Sequence, residues 1–492
     1  MTNPLLSAAS TWQTLSQWHE NQRLIDFVAS TLGQILLWCC CLLLLYPTPY
    51  LPLLPLMILA SRLPAQRIPI LGIGGAVLFF WFRFAKLPTI DPLWIASDIA
   101  FIVGILWLFF QLARHYSALP KWLRNSPQIA LHSLLWLCIA AIPFFPNGFR
   151  NNPDNPFFLH ASLCVLLFSF LIWRIGMLLY AGKRGQLKTA RFVDHLLYCL
   201  PYLGPTQVPY GKGLDYLQSK QAKQNSDLAK SQLAGVKLLL LALLWQALLP
   251  VLNRLFFASA THSHDSLSTA LIQLYHVDFL TTLPVERLPP LATLWGSLFI
   301  DMIYETMQLA ITGHFIVGCF RLFGFNIFRN TYRPLLTKSL VDFWNQYYYY
   351  FKELLVDFFF FPAYISLFKN NIKLRIFTAT MASACVGNFY YHILQHFDVY
   401  LEHGVTITFE KFASYLFYSV VLGFGIFISM LNAQQRRTLT PPAYTPLQAN
   451  LVVLRKIAGV WLFFSLLRIW DHPSSQFWQD TRFFFTLFGL SF

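Results

Sequence analysis

At 492 residues, with 56% apolar and only 12% charged side chains, the chain holds too little polar material to cover soluble domains, which carry about 25% charged residues. Its net charge of +15 does not point to nucleic acid. Lys183, Arg184, Lys188, Arg191 and the pair Arg436 and Arg437 lie between hydrophobic runs, where short cytoplasmic loops of membrane proteins concentrate Lys and Arg. The eight cysteines sit mostly inside apolar runs without CxxC or zinc-type spacing, so they form neither a disulfide framework nor a metal site.

Residues 1–24 are polar and lack a basic region followed by a short apolar core; they are expected to be a cytoplasmic N-terminal segment with no cleaved signal peptide. Residues 25–492 are expected to form a single all-α transmembrane domain. A crossing helix takes about 20 mainly apolar residues. Candidates fall at 25–46, 50–62, 68–84, 91–113, 126–146, 157–180, 234–257, 291–320, 376–396, 409–431 and 448–470, roughly eleven spans by that length rule. With the N-terminus inside, the internal loops Ser61–Arg67, Arg114–Asn125, Ala181–Leu233, Arg321–Arg375 and Asn432–Ala449 hold most of the Lys and Arg. The external loops Asn151–Asn155, Ala258–Pro290 and Val399–Thr408 hold few, which is the positive-inside pattern.

Two internal stretches are too apolar for solvated loops and too interrupted to cross cleanly. Phe192–Tyr210 is broken by three prolines, and Leu335–Leu367 contains Tyr347–Phe351 and the Phe358–Phe361 run ending at Pro362. Both are read as re-entrant or interfacial elements, since irregular backbone at membrane depth survives only where protein or a water-filled cavity satisfies it.

Ionisable groups inside apolar runs are costly and mark candidate function. Arg174 lies about two turns from Lys183, close enough to snorkel to the interface. Asp301 and Glu305 are four apart, so on a helix they share a face and are candidates either to line a polar cavity or to hydrogen-bond a neighbouring span. His314, on the same span, either extends that face or bonds a neighbouring helix. His392 and His396 stand late in a span, with His403 just beyond. Their spacing permits a metal pair, but no carboxylate follows in the helix and no third ligand is evident. A structural histidine and a proton-transferring histidine are the other readings, the last because imidazole titrates near neutral pH.

The stretch from Arg321 to Pro362, with Asp342, Phe343 and Trp344 followed by Asp357 and Pro362, resembles the membrane-bound O-acyltransferases. It is most similar to their bacterial alginate-acetylation and teichoic-acid D-alanylation branch. Pro201, Gly204 and Pro205 resemble the end of that branch's re-entrant segment, and Tyr391-His392 stands in the place of its active histidine. The likeness covers roughly residues 160 to 492. The chain has Tyr347-Tyr348 where the branch has Trp-His, and Gln308 to His314 where it has an Asp-Phe-Ser-Gly motif. Gly387 is also placed differently.

The resemblance implies a funnel of helices and acyl transfer from a cytoplasmic thioester, coenzyme A or an acyl carrier protein, to a hydroxyl of an exported acceptor. His392 would be the general base, and no bound cofactor or metal is implied. Tyr348, Asn345 and Tyr391 would donate hydrogen bonds or orient the imidazole, with Trp344, Asp342 and Asp357 supporting the site. The implied setting is a bacterial inner membrane, with an extracytoplasmic acyl-handling partner and no nucleic acid. A lipid- or protein-directed acyltransferase of the same fold, and a non-catalytic transport or scaffold subunit, are the alternatives.

Overall fold

The computed structural model describes residues 17–84, 92–141, 171–188, 190–199, 212–257, 272–436, 445–472 and 477–490. Among these residues the chain is helical; extended pairing is limited to two isolated bridges, Gln221 with Phe325 and Phe257 with Leu274. Three helices, Asn225–Phe256, Ala413–Gln435 and Pro446–Trp470, are long and apolar enough to cross a membrane, yet only 22–28% of each apolar window is buried within the protein. Leu240, Leu244 and Val251 on the first, and Leu451 and Leu454 on the third, face outward. A long helix exposing this much Leu and Val needs an apolar surround, so the chain is consistent with a helical membrane protein.

The remaining predicted spans differ in instructive ways. The 25–46 run is two helices, Gln22–Ala29 and Thr31–Leu45, bent by 94°. The bend sits at Ser30, which is extended and caps the second helix through Gly33 N–H (3.2 Å); a hydroxyl that satisfies a free helix N-terminus favours a break there. The 234–257 helix begins nine residues earlier, inside the predicted loop Ala181–Leu233. Val399–Thr408, expected as an external loop, is helical within Phe397–Lys411, kinked at Gly404 with φ 75°. Much of the 157–180 span, the Asn151–Asn155 loop and the Pro201, Gly204 and Pro205 motif lie outside the described residues.

The chain packs as two compact units. The first comprises 1–131, 153–244 and 311–329. Its core holds Arg67, which donates to the carbonyls of Ala60 (3.2 Å) and Ala222 (3.0 Å), and a Gln34–Gln232 bond of 2.8 Å. Arg174 is also buried there, at 2% exposure. This corrects the expectation that it snorkels to the interface: the guanidinium stays inside the packed unit.

The second unit comprises 132–152, 245–310 and 330–492. The predicted re-entrant stretch Leu335–Leu367 is here a succession of short helices, Leu340–Tyr347, Tyr349–Leu355 and Phe361–Ser366, with a π-helical segment Val356–Phe360 between the last two. That segment packs against a second π-helical segment, Met381–Gly387.

Candidate functional site

His392 is placed by a helix that changes pitch on the way to it. Asn371 starts the helix by accepting from Leu374 N–H (3.1 Å), and Ile372–Thr380 runs as a regular α-helix. The hydroxyls of Thr378 and Thr380 then bond the carbonyls of Leu374 and Ile376, and Ser383 bonds that of Thr380. Side chains that compete for helix carbonyls weaken the regular ladder, and Met381–Gly387 widens into a π-helix. Small residues let neighbours close in. A Cβ on Gly387 would lie 2.6 Å from Cδ2 of Phe359, in the facing π segment. Such widened turns recur at functional sites.

The α-helix resumes at Asn388 and ends at Gln395. The half-buried His392 imidazole stacks on the Tyr415 ring, with centroids 4.1 Å apart and planes at 19°. Among the described residues no group hydrogen-bonds either ring nitrogen. The structural-histidine reading expects such a bond; stacking holds the ring while leaving its nitrogens available. Tyr391 is buried, accepts a hydrogen bond from Gln395 and packs on Phe351 (4.7 Å), which in turn meets Tyr348 (5.3 Å). His396 turns to Phe412 (6.0 Å). Among the described residues no group of three or more His, Cys, Asp and Glu is arranged to hold a metal.

One turn before His392 stands Asn388, 1% exposed, whose Nδ2 has no acceptor among the described residues. Positions four apart share a helix face, so this enclosed donor and the imidazole lie one above the other. Sequence reading passed over Asn388, although a carboxamide within an apolar run was a visible signal.

Trp344 and Asn345 line a cavity of 170 Å³ with Lys352, Phe360, Ser383 and Met430. Its walls are mostly apolar, and Ser383 places it against the π segment. Asp342 is elsewhere: it is exposed and caps its own helix, accepting from the Ser339 hydroxyl (2.6 Å) while its N–H bonds that oxygen (3.1 Å). Asp357 lies within the first π segment.

Asp301 and Glu305 do share a face, and the group that gathers them is Arg468. Its Nε lies 3.6 Å from Asp301, and its Nη2 lies 3.4 Å from Glu305 and 3.2 Å from Asp278. Nη1 donates to the Asp471 carbonyl (2.8 Å). His276, stacked on Phe257, meets the other oxygen of Asp301 at 2.8 Å. Asp301 is 1% exposed, whereas Glu305 and Asp278 keep 34% and 53% of their side-chain surface open, so one guanidinium joins a buried carboxylate to two partly exposed ones. Burial pushes the Asp471 carboxyl up to about 7, against the pull of Arg468. Asp471 and Arg468 also lie near enough to Tyr415 to act on its hydroxyl electrostatically, which joins this network to the ring under His392.

His314, on the same helix nine residues beyond Glu305, or about 13 Å along it, is buried. His276, Asp278, Arg468 and Asp471 escaped the sequence reading because each sits at the end of an apolar run or in a loop, where a charge is ordinary.

No protein-family model matches the chain, and no curated protein matches it.

Proposed function

We propose that the protein is a multi-pass membrane O-acyltransferase, with about eleven spans, a cytoplasmic N-terminus and a bacterial inner-membrane location. It moves an acyl group from a cytoplasmic thioester, acyl-coenzyme A or an acyl carrier protein, to a hydroxyl of an exported or envelope acceptor. An extracytoplasmic acyl-handling protein is the expected partner. The observation that carries this reading is His392: a stacked imidazole with neither nitrogen hydrogen-bonded among the described residues, on the helix whose widened turn walls an apolar cavity.

The chemistry follows from those parts. The acceptor hydroxyl gives its proton to an imidazole nitrogen of His392 as its oxygen attacks the thioester carbonyl. The tetrahedral intermediate collapses, the carbon–sulfur bond breaks, and the leaving thiolate takes the proton back from the imidazolium. Nδ2 of Asn388 is a hydrogen-bond donor to the developing oxyanion, aided by Tyr391 and Tyr348.

The test is transfer of label from acyl thioesters in membranes containing wild type or His392→Gln. Transfer by wild type alone is expected. Equal transfer by both would remove His392 from the chemistry, and transfer by neither would favour a transport or scaffold subunit.

A further inference from the structure

We propose that a basic cleft in the first unit binds the phosphate-bearing headgroup of an anionic phospholipid. The cleft encloses 800 Å³ and is lined by Arg114, Lys121, Arg124, Lys183 and Lys188, with no Asp or Glu in its lining. These residues come from two separate stretches of sequence, and the fold assembles them for identifiable reasons. The Pro92–Arg114 helix ends at Arg114, and a 3-10 turn at Tyr116–Ala118 leads into Lys121–Asn125. Tyr116 fixes that path by donating its hydroxyl proton to the Arg124 carbonyl (2.7 Å).

The second stretch is the end of the 171–183 helix. Gly185, at φ 73°, reverses the chain, with Gly185 N–H bonding the Gly182 carbonyl (2.9 Å) and Gln186 N–H that of Ala181 (3.0 Å). This left-handed glycine cap brings Lys188 back beside Lys183. The two stretches meet where Arg114 donates to the Lys188 carbonyl (3.5 Å). A Cβ on Gly182 would lie 2.1 Å from the Ala113 carbonyl oxygen, so only glycine allows the helices this close.

Five cations converging on one concavity repel one another, an arrangement that an anion stabilises. The planar guanidinium forks of Arg114 and Arg124, both in the lining of the cleft, suit phosphate oxygens in charge and geometry. The surroundings point to a lipid as the source of the phosphate. Trp122, beside the cleft, is 68% exposed, and Phe101, Trp107 and Leu108 stand exposed on the helix that delivers Arg114. A cationic cleft next to exposed tryptophans and an outward apolar face matches an amphiphile whose headgroup and tails separate at the interface.

The test uses the full-length protein purified in detergent, with bound lipid read by native mass spectrometry after incubation with phosphatidylglycerol or phosphatidylcholine. Preferential retention of phosphatidylglycerol is expected. Arg124→Gln combined with Lys183→Gln and Lys188→Gln should lower it on the order of a hundredfold, as about one factor of five per basic residue at a membrane surface implies. Lys369→Gln with Lys373→Gln, exposed cations elsewhere, should leave retention within about twofold. Ser117→Glu places a carboxylate on the exposed lip without deleting a contact, and should weaken binding even if the triple variant fails to fold. Equal retention by wild type and Ser117→Glu, or equal retention of the two lipids, would overturn the proposal. So would full displacement of phosphatidylglycerol by millimolar glycerol phosphate, which would make the phosphate alone, rather than a lipid, the ligand.

Discussion

The imidazole of His392 lies flat on the ring of Tyr415, 4.1 Å between centroids and 19° from parallel. Stacking fixes the plane of the imidazole without engaging its nitrogens, whereas a hydrogen bond would occupy one of them. Tyr415→Phe keeps the platform and should retain transfer activity within a few-fold. Tyr415→Leu removes the flat surface and should lower kcat by about tenfold or more, while His392→Gln should cost on the order of 10²–10⁴-fold, the usual share of a general base. Acyl-transfer rates for the three variants, each checked for folding by size-exclusion chromatography, decide the matter. Equal loss in Tyr415→Phe and Tyr415→Leu would shift the role from the ring to the hydroxyl.

Asn388 allows stability and chemistry to be separated. Its Nδ2 is enclosed without an acceptor among the described residues, a condition that costs about 1–3 kcal/mol. Asn388→Leu removes that cost and keeps the number and branching of side-chain heavy atoms, at the expense of some overpacking, so the variant should be about as stable as wild type. If the amide stabilises the oxyanion, the same variant should lose roughly 10²–10³-fold in kcat. A variant that melts later and turns over normally would return Asn388 to a purely structural place.

Gly387 tests whether contact between the two π segments holds His392 in register. A methyl group there meets the Phe359 ring at 2.6 Å, well inside contact distance. Gly387→Ala should destabilise by about 1–3 kcal/mol, the range for overpacking, and should lower transfer as well. Phe359→Leu makes room, so the double variant should recover most of the lost thermal stability. Failure to recover would mean that the glycine matters for its backbone rather than for its closeness to Phe359.

These elements show where sequence was enough and where it was not. Apolar run length located the helices at 291–322, 413–436 and 446–467 to within a few residues, because hydropathy and span length are set by the surround. The i, i+4 rule placed Asp301 and Glu305 on one face. Their partner Arg468 lies 163 residues away from Glu305, and only tertiary packing joins them. The π segments were not legible either. A widened turn depends on hydroxyl–carbonyl competition at Thr378, Thr380 and Ser383 together with a ring pressing at Gly387, and no local periodicity records that combination. Asp342 shows the converse: a residue singled out by resemblance has an ordinary capping bond to Ser339.

Arg468 holds Asp301, Glu305 and Asp278 together. Of the three only Asp301 is fully buried, and removing the guanidinium leaves that carboxylate short of its cation, where breaking a buried pair costs about 3–5 kcal/mol. Arg468→Met should therefore lower the midpoint of thermal unfolding strongly. Adding Asp301→Asn and Glu305→Gln should restore much of the loss, because the triple variant no longer buries an unpaired charge. A triple variant no more stable than Arg468→Met would show that Arg468 acts through its bond to the Asp471 carbonyl and not through the carboxylates.

Asp471 gives the network a pH dependence with a definite sign. Burial raises its carboxyl to about 7 in the folded protein, whereas an unfolded Asp titrates near 3.9. Between those values the folded state holds a proton that the unfolded state has lost, so stability falls as pH rises from about 4 to about 7 and then levels off. Below pH 4 both states are protonated and the contribution is complete. Asp471→Asn is neutral throughout and keeps the backbone carbonyl that Arg468 uses. The difference in thermal midpoint between variant and wild type should thus be small at pH 4, grow through pH 7 in favour of the variant, and stay constant above it. Arg468, Glu305 and Asp278 act on the same carboxyl but are present in both proteins, so their own titration cancels to first order in the comparison. A difference that does not change with pH would mean that Asp471 stays ionised beside Arg468, and that attraction to the guanidinium outweighs burial at this position.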